Sequence, residues 1–313
     1  MLEIKNLTVK LNQAKIVEDV SISIQRGEIV SIIGESGSGK SVTALSILKL
    51  LPEKMKVSGK IKIDGKDILQ LPEKKFNKSI RWKTVAIIFQ DPASYLNPLI
   101  KVGEQISEAI IFHEKKKYQT KEKVLHLLKE VQIKNTEPIF NAYPHQLSGG
   151  QKQRVLIAMA LACNPRFLIA DEPTTALDKK TEKNILNTLK TIAKKRKTGI
   201  LFISHDIEAV SMISNKLHIM YAGYLLESGN TDEILKTPFH PYTKGLINCI
   251  PKVEGKGKRK LPVIPGNVPD IHSRPSGCPF HPRCLKAKNL CRKKFPDMKT
   301  FNRRDVRCFF PEY

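Results

Sequence analysis

No unbroken apolar run in this 313-residue chain exceeds Val155 to Cys163, less than half of the ~20 residues a membrane-spanning helix needs. The N-terminus also lacks the charged-then-apolar pattern of a secretory signal, so the expectation is a soluble, cytosolic chain. Acidic residues are in short supply. Against 54 Lys and Arg stand only 30 Asp and Glu, a net charge of +24, which admits anionic partners such as nucleic acid, acidic lipid headgroups or an acidic protein face. The lysines are scattered, with short clusters only at Lys115 to Lys117, Lys194 to Lys197 and Lys256 to Lys260, a distribution that fits a solvated surface better than a basic groove. Six cysteines are few for a disulfide scaffold of this size; in a reducing cytosol they are inert, metal-binding or cluster-binding. Internal repeats, low-complexity tracts and sustained heptads are all missing, which excludes repeat arrays and long coiled coils. The length allows one large domain, or a main domain with an appendage, and an ample core.

What is present is organised around Gly34-Glu35-Ser36-Gly37-Ser38-Gly39-Lys40-Ser41, which fills every fixed position of the glycine-rich phosphate loop. It follows the β-branched run Ile29 to Ile33 and precedes the helix-like Val42 to Leu48, the strand-turn-helix context that the motif requires. The alternative, an idle glycine turn, leaves that context unexplained. In such a loop backbone N–H groups converge on phosphate oxygens, Lys40 reaches the β and γ phosphates, and Ser41 can hold Mg²⁺. The ligand it names is a nucleoside triphosphate.

Alternating or nearly alternating patterns predict strands over Leu2 to Val9 and Val20 to Ile24, and Val57 to Ile63 followed by Asp64-Gly65 predicts a hairpin. Thr84 to Phe89 reads as a strand stopped by Gln90-Asp91-Pro92, with Gln90 at its end. From Val102 to about Val131 the apolar spacing turns helical, and Leu147 to Gln151 opens a further helix over Gln153 to Ala162. Arg166 to Ala170 is a buried-strand run. A helix over Thr181 to Ala193, a strand over Gly199 to Ser204 and a helix over Ile207 to Ile213 follow. Strands alternating with helices predict a mostly parallel sheet covered on both faces. Past Thr237 periodicity fades while proline, histidine and cysteine rise, so 238–313 is expected to be an appendage held by turns and packing, with metal as an open option, rather than by regular elements.

Two further constellations carry chemistry. Asp171 and Glu172 close a buried strand at the edge where ligands sit in open α/β sheets; there Asp171 would bind Mg²⁺, and Glu172 would accept a proton from, or orient, an attacking water. Leu147-Ser148-Gly149-Gly150-Gln151 places N–H donors and a hydroxyl at a helix start, a second anion site in the same chain. One triphosphate does not need both, and the economical answer is two chains paired head to tail, each closing the other's phosphate site.

Together these residues make the chain resemble the ATPase subunit of an ABC transporter over Met1 to about Thr237, with Gln90 at the Q-loop, Asp171 and Glu172 of the Walker B strand, Ala176-Leu177-Asp178 at the D-loop and His205 at the switch histidine. The resemblance implies a P-loop ABC cassette in the α/β class: a mixed β subdomain, a RecA-like core and a helical subdomain over about 100–165. It also implies that Gln90 links the Mg²⁺ and water site to membrane subunits, that His205 contacts the γ-phosphate, and that Asp178 communicates across a dimer. By themselves, His205 would more often be an ordinary partly buried histidine and Gln90 a strand-end cap. One departure is Leu11, which lies where many family members stack an aromatic on adenine; adenine recognition is then looser or supplied by another residue.

Phe89-Gln90-Asp91-Pro92 with Leu96-Asn97-Pro98, then His240 to Leu246, and Ile264-Pro265-Gly266 through Gly277 to Cys284, are similar to the oligopeptide, dipeptide and nickel importer branch. Cys278, Cys284, Cys291 and Cys308 stand at C-x5-C-x6-C-x16-C, unlike paired C-x2-C zinc spacing. Some relatives with a similar pattern carry a [4Fe-4S] cluster, leaving cluster, zinc and free thiols as the alternatives, with Cys163 and Cys249 buried or incidental. The resemblance implies an ATP-hydrolysing subunit at the cytoplasmic face of a membrane, with two permeases, a second ATPase subunit and an extracytoplasmic solute-binding protein as partners. A soluble ABC-type ATPase acting on DNA or ribosomes is the rival, but such proteins usually carry a coiled-coil insert or tandem cassettes, so no nucleic-acid partner is expected. A stand-alone phosphate-loop kinase leaves Leu147 to Gln151 unexplained.

Overall fold

A computed structural model describes residues 1–114, 119–249 and 262–312; the basic clusters Lys115 to Lys117 and Lys256 to Lys260 lie outside them. The chain forms two compact units. One comprises Met1–Glu3, Ser23–Ile29 and Ile61–Ile203; the other comprises Ile4–Ile22, Val30–Lys60 and Ser204–Tyr313. Both mix α and β structure.

In the first unit Val85–Ile88, Phe167–Asp171 and Gly199–Ser204 run parallel, with Val85 opposite Phe167 and Phe167 opposite Gly199. All five residues of Phe167–Asp171 are buried, as the continuous apolar run predicts for a strand covered on both faces. The predicted helical stretch becomes Val102–Glu114 and Thr120–Glu130, followed by Thr136–Asn141 and Gly149–Leu161. The helix Lys179–Arg196 is capped by Asp178, which accepts from the N–H groups of Lys180 and Thr181, and it ends on Lys194, Lys195 and Arg196, the sign its C-terminal dipole favours. Met55–Ile63 turns through Asp64 (φ 48°) and Gly65 (φ 82°) into Lys66–Asp67, the predicted hairpin.

In the second unit Val30 to Ile33 pair in parallel with Lys216 to Ile219. Ala222 and Gly223, both at positive φ, turn Lys216–Tyr221 back into the antiparallel strand Tyr224–Asn230. The region past Thr237 departs from expectation, because it contains regular elements. Pro241–Asn248 is a helix, and Lys299–Phe301 with Arg304–Val306 forms a hairpin that pairs with Tyr224–Asn230, Val306 opposite Glu227. Three-residue strands are too short to show a period in the sequence.

Buried arginines fasten this hairpin. Arg304 donates to the carbonyls of Glu233 and Thr237 at 3.1 and 2.6 Å, and Arg307 to the Leu225 carbonyl and the Asp19 carboxylate, both at 3.1 Å. Glu227, fully buried, accepts the N–H groups of Phe239 and His240 at 2.9 Å each, so its charge is met by backbone dipoles with Arg304 3.9 Å away.

His218 sits opposite Ser228 on the paired strands, its Nδ1 2.8 Å from the Ser228 hydroxyl and its Nε2 without a hydrogen-bond partner. Burial, with Lys216 nearby, pushes it down from 6.5 to about 4. The folded value is depressed, so its contribution is complete above pH 6.5 and is lost as pH falls toward 4, where only the unfolded chain takes up the proton. That predicts a loss of about 2 kcal/mol between pH 7 and 5 from this site alone. Urea midpoints measured against pH should fall less steeply for His218→Gln than for the wild type; equal slopes would contradict the assignment.

Candidate functional site

The phosphate loop belongs to the second unit. It leaves the fully buried strand Ile29–Ile33 and enters the helix Lys40–Ile47 through Gly39, whose φ of 99° is a conformation that L side chains avoid. A Cβ on Gly34 would lie 2.0 Å from the Met220 carbonyl oxygen, so only glycine fits there. Ser36, Gly37 and Ser41 are exposed at the mouth of the loop. Lys40 is buried, its ammonium donating to the carbonyls of Gly34 at 2.8 Å and Glu35 at 3.0 Å. The buried Ser38 hydroxyl has no hydrogen-bond partner. A concave backbone turn holding a buried cation and an unsatisfied hydroxyl suits a phosphate chain. His205 is in the same unit, exposed between the strand Gly199–Ser204 and Asp206, which caps the helix Ile207–Ile213. Leu11 is the half-buried last residue of the strand Leu2–Leu11.

The first unit brings the acidic pair and Gln90 together. Asp171 ends its strand buried, whereas Glu172 is half-buried with φ 47°, a left-handed conformation that costs a non-glycine residue roughly 1–2 kcal/mol. Its N–H still bonds the Ile203 carbonyl at 2.9 Å. On its carboxylate, one oxygen accepts both the Gln90 amide at 3.1 Å and the Thr175 hydroxyl at 3.0 Å. Two donors on one oxygen fix the plane of the carboxylate, as expected for a group that must aim at a small molecule. Thr175 escaped the sequence reading; its signal is only its place three residues after Glu172.

Leu147 anchors the other anion-type segment by burial, while Ser148 and Gly149 face solvent at the start of the helix Gly149–Leu161. Ser148 and Gln151 form a reciprocal cap, Ser148 Oγ accepting from the Gln151 N–H at 3.3 Å and Gln151 Oε1 from the Ser148 N–H at 2.9 Å. Added Cβ atoms on Gly149 and Gly150 would meet Leu177 at 3.7 Å and Thr181 at 2.6 Å. The segment that contains Asp178 therefore packs directly behind these glycines.

Beyond Gln90, the Asn97 N–H donates to Gln105, whose own amide donates to the carbonyls of Asn97 and Ile100, pinning this loop to the helix Val102–Glu114. Beside it lies a cleft of about 410 Å³ lined by Arg81, Trp82, Gln105, Phe112, His113 and others, with Phe112 76% exposed.

Cys278, Cys284, Cys291 and Cys308 line one small cavity, together with His240 and Phe280. All are free thiols, and burial pushes Cys278 up to about 12, Cys308 up to about 11 and Cys284 upward. His240 accepts the Tyr242 N–H on Nδ1, which leaves the proton on a buried Nε2 that has no partner. Among the described residues, no group of three or more His, Cys, Asp or Glu is arranged to hold a metal ion. The four thiols thus share a space without being arranged as a metal-binding group among the described residues. Cys163, by contrast, is buried in the first unit, where its thiol donates to the Ala109 carbonyl.

Two residues of the C-terminal region bear on the phosphate loop. The Tyr242 hydroxyl accepts the Glu35 N–H at 3.1 Å, and Arg283 donates to the Glu35 carboxylate at 2.9 Å.

Comparison with known proteins agrees with these features. Residues 17–175 match the ABC transporter family, and residues 226–291 match the C-terminal region of oligopeptide/dipeptide transporters. The chain is 42% identical to the oligopeptide transport ATP-binding protein AppD of Bacillus subtilis, covering 100% of this chain and 97% of that one. It is 41% identical to the dipeptide transport ATP-binding protein DppD of Haemophilus influenzae, covering 99% and 96%. A solved dimeric ATP-binding cassette in a post-hydrolysis state, bound to ADP and Pi, superposes with a TM-score of 0.65 at 31% identity, over 74% of this chain and 99% of that one. With its phosphate loop, its Gln90–Glu172 contact and its full-length relatives, the chain belongs to the ABC transporter family of ATPases, in the group that carries the oligopeptide/dipeptide transporter C-terminal region.

Proposed function

We propose that this chain is the ATP-hydrolysing subunit of a peptide importer. The observation that carries the reading is that similarity to oligopeptide and dipeptide transport ATP-binding proteins spans the whole chain, C-terminal region included, rather than the ATPase part alone. Gly34 to Ser41 wrap the triphosphate, with Lys40 neutralising its charge. Ser41, Gln90 and Asp171 would hold Mg²⁺, which supplies charge neutralisation on the phosphates when bound. Glu172, held by Gln90 and Thr175, accepts the proton of the attacking water, and His205 contacts the terminal phosphate. Leu147 to Gln151 and Asp178 act across a pair of ATPase subunits, Ser148 and Gly149 presenting exposed donors to the partner's nucleotide. Two permeases would be engaged at the cleft beside Gln105 and Phe112, linked to Gln90 by the pinned loop, and an external binding protein delivers the peptide. The place of action is the cytoplasmic face of the membrane, peripherally; no described helix is long and apolar enough to cross a bilayer. Nickel complexes are the alternative solute, and similarity to oligopeptide and dipeptide transport proteins favours peptides.

The cavity shared by Cys278, Cys284, Cys291 and Cys308 would hold a [4Fe-4S] cluster, each thiol losing its proton on ligation. A cluster bound there would cross-link the segments that carry these four cysteines.

Glu172→Gln should bind ATP and form the ATP-dependent dimer, yet lose about a hundredfold or more in turnover, the order that general-base removal costs; undiminished hydrolysis would remove Glu172 from the mechanism. Protein purified without oxygen should contain iron and absorb visible light, and Cys284→Ser should lose both; a colourless preparation with one zinc per chain, or with no metal, would overturn the cluster.

A further inference from the structure

Two side chains of the C-terminal region have no part in the site so far, Tyr242 and Arg283, and both reach the same residue of the phosphate loop. Glu35 is held at three points. Its N–H donates to the Tyr242 hydroxyl at 3.1 Å, its carboxylate pairs with Arg283 at 2.9 Å, and its carbonyl accepts from Lys40 at 3.0 Å. Tyr242 is fully buried against Tyr221 and Phe280, with ring centroids 4.7 and 5.2 Å away. Arg283 is 7% exposed, and its guanidinium is locked by the carbonyls of Pro265 at 2.8 Å and Ile264 at 3.4 Å and by the Tyr221 hydroxyl at 3.4 Å.

We propose that the C-terminal region is a clamp on the phosphate loop, in which Arg283 and Tyr242 are positioning residues for ATP binding, acting through Glu35. The inference rests on the reading that Gly34 to Ser41 bind ATP. Two physical requirements lie behind it. A carboxylate at the second position of the loop repels a polyanion unless a cation already answers it, and Arg283 is that cation. Lys40 must also release the Gly34 and Glu35 carbonyls to reach phosphate, and the loop keeps its shape during the exchange only if Glu35 is gripped from elsewhere. Tyr242 holds its backbone and Arg283 its side chain.

The test is titration of the full chain with ATP, by calorimetry and by steady-state kinetics. Wild type should bind and Lys40→Ala should not; failure at this step sinks the ATP-site reading itself. With that step passed, Arg283→Gln should raise Kd about tenfold, the order for a lost charge-assisted contact. KM should rise with it and kcat should change less. The diagnostic is Glu35→Gln combined with Arg283→Gln, which should bind ATP several-fold more tightly than Arg283→Gln alone, because the unanswered charge is gone. A merely structural arginine gives no such recovery. Tyr242→Phe, which removes a single oxygen, should weaken binding by a few-fold with the melting temperature nearly unchanged, and it keeps the proposal testable if Arg283→Gln does not fold. Wild-type affinity in Arg283→Gln and Tyr242→Phe, or an equal loss with and without Glu35→Gln, would overturn the clamp.

Discussion

A polyphosphate gives up water only to a site whose positive charge is already in place, and the turn from Gly34 to Ser41 meets that condition before any ligand arrives. Lys40 is buried with its ammonium satisfied by two carbonyls of its own loop, so the cation is stored at low cost in a position from which it can be transferred to phosphate. The loop can be this tight because Gly34 leaves room for the Met220 carbonyl where a side chain would collide, and because Gly39 takes a dihedral that other residues avoid. The second unit extends around this turn, from the parallel pairing of Val30 to Ile33 with Lys216 to Ile219 out to the C-terminal hairpin.

In the first unit the most constrained side chain is a carboxylate. Glu172 leaves a fully buried strand in a strained dihedral, and the Gln90 amide and Thr175 hydroxyl meet on one of its oxygens. Gln90 also begins the loop that Gln105 fastens to the helix Val102–Glu114. The Glu172 carboxylate is thereby tied, through Gln90 and its loop, to that helix.

Some of this was legible in the sequence because chemistry dictates spacing. A phosphate loop, an acidic pair closing an apolar strand and a serine-glycine-glycine helix start each concentrate their requirements within eight residues, and the order of the chain displays them. The Asp64-Gly65 hairpin was readable for the same reason. What escaped lies between residues far apart in sequence: Tyr242 and Arg283 are 207 and 248 positions from Glu35, and nothing in either motif names its target. The C-terminal hairpin escaped because its strands are three residues long, and the arginines that fasten it bond to carbonyls, which every residue possesses. Glu172's left-handed backbone has no sequence signal either, since glutamate is not a residue that turns select.

The account comes down to whether ATP splitting by this chain does work for a membrane partner. The most direct measurement is ATP hydrolysis by the chain copurified with its permeases in proteoliposomes, with and without a peptide-loaded binding protein. The account predicts hydrolysis that rises on addition of the loaded binding protein, together with uptake of the peptide. Full activity as an isolated monomer, indifferent to permease and peptide, would contradict it.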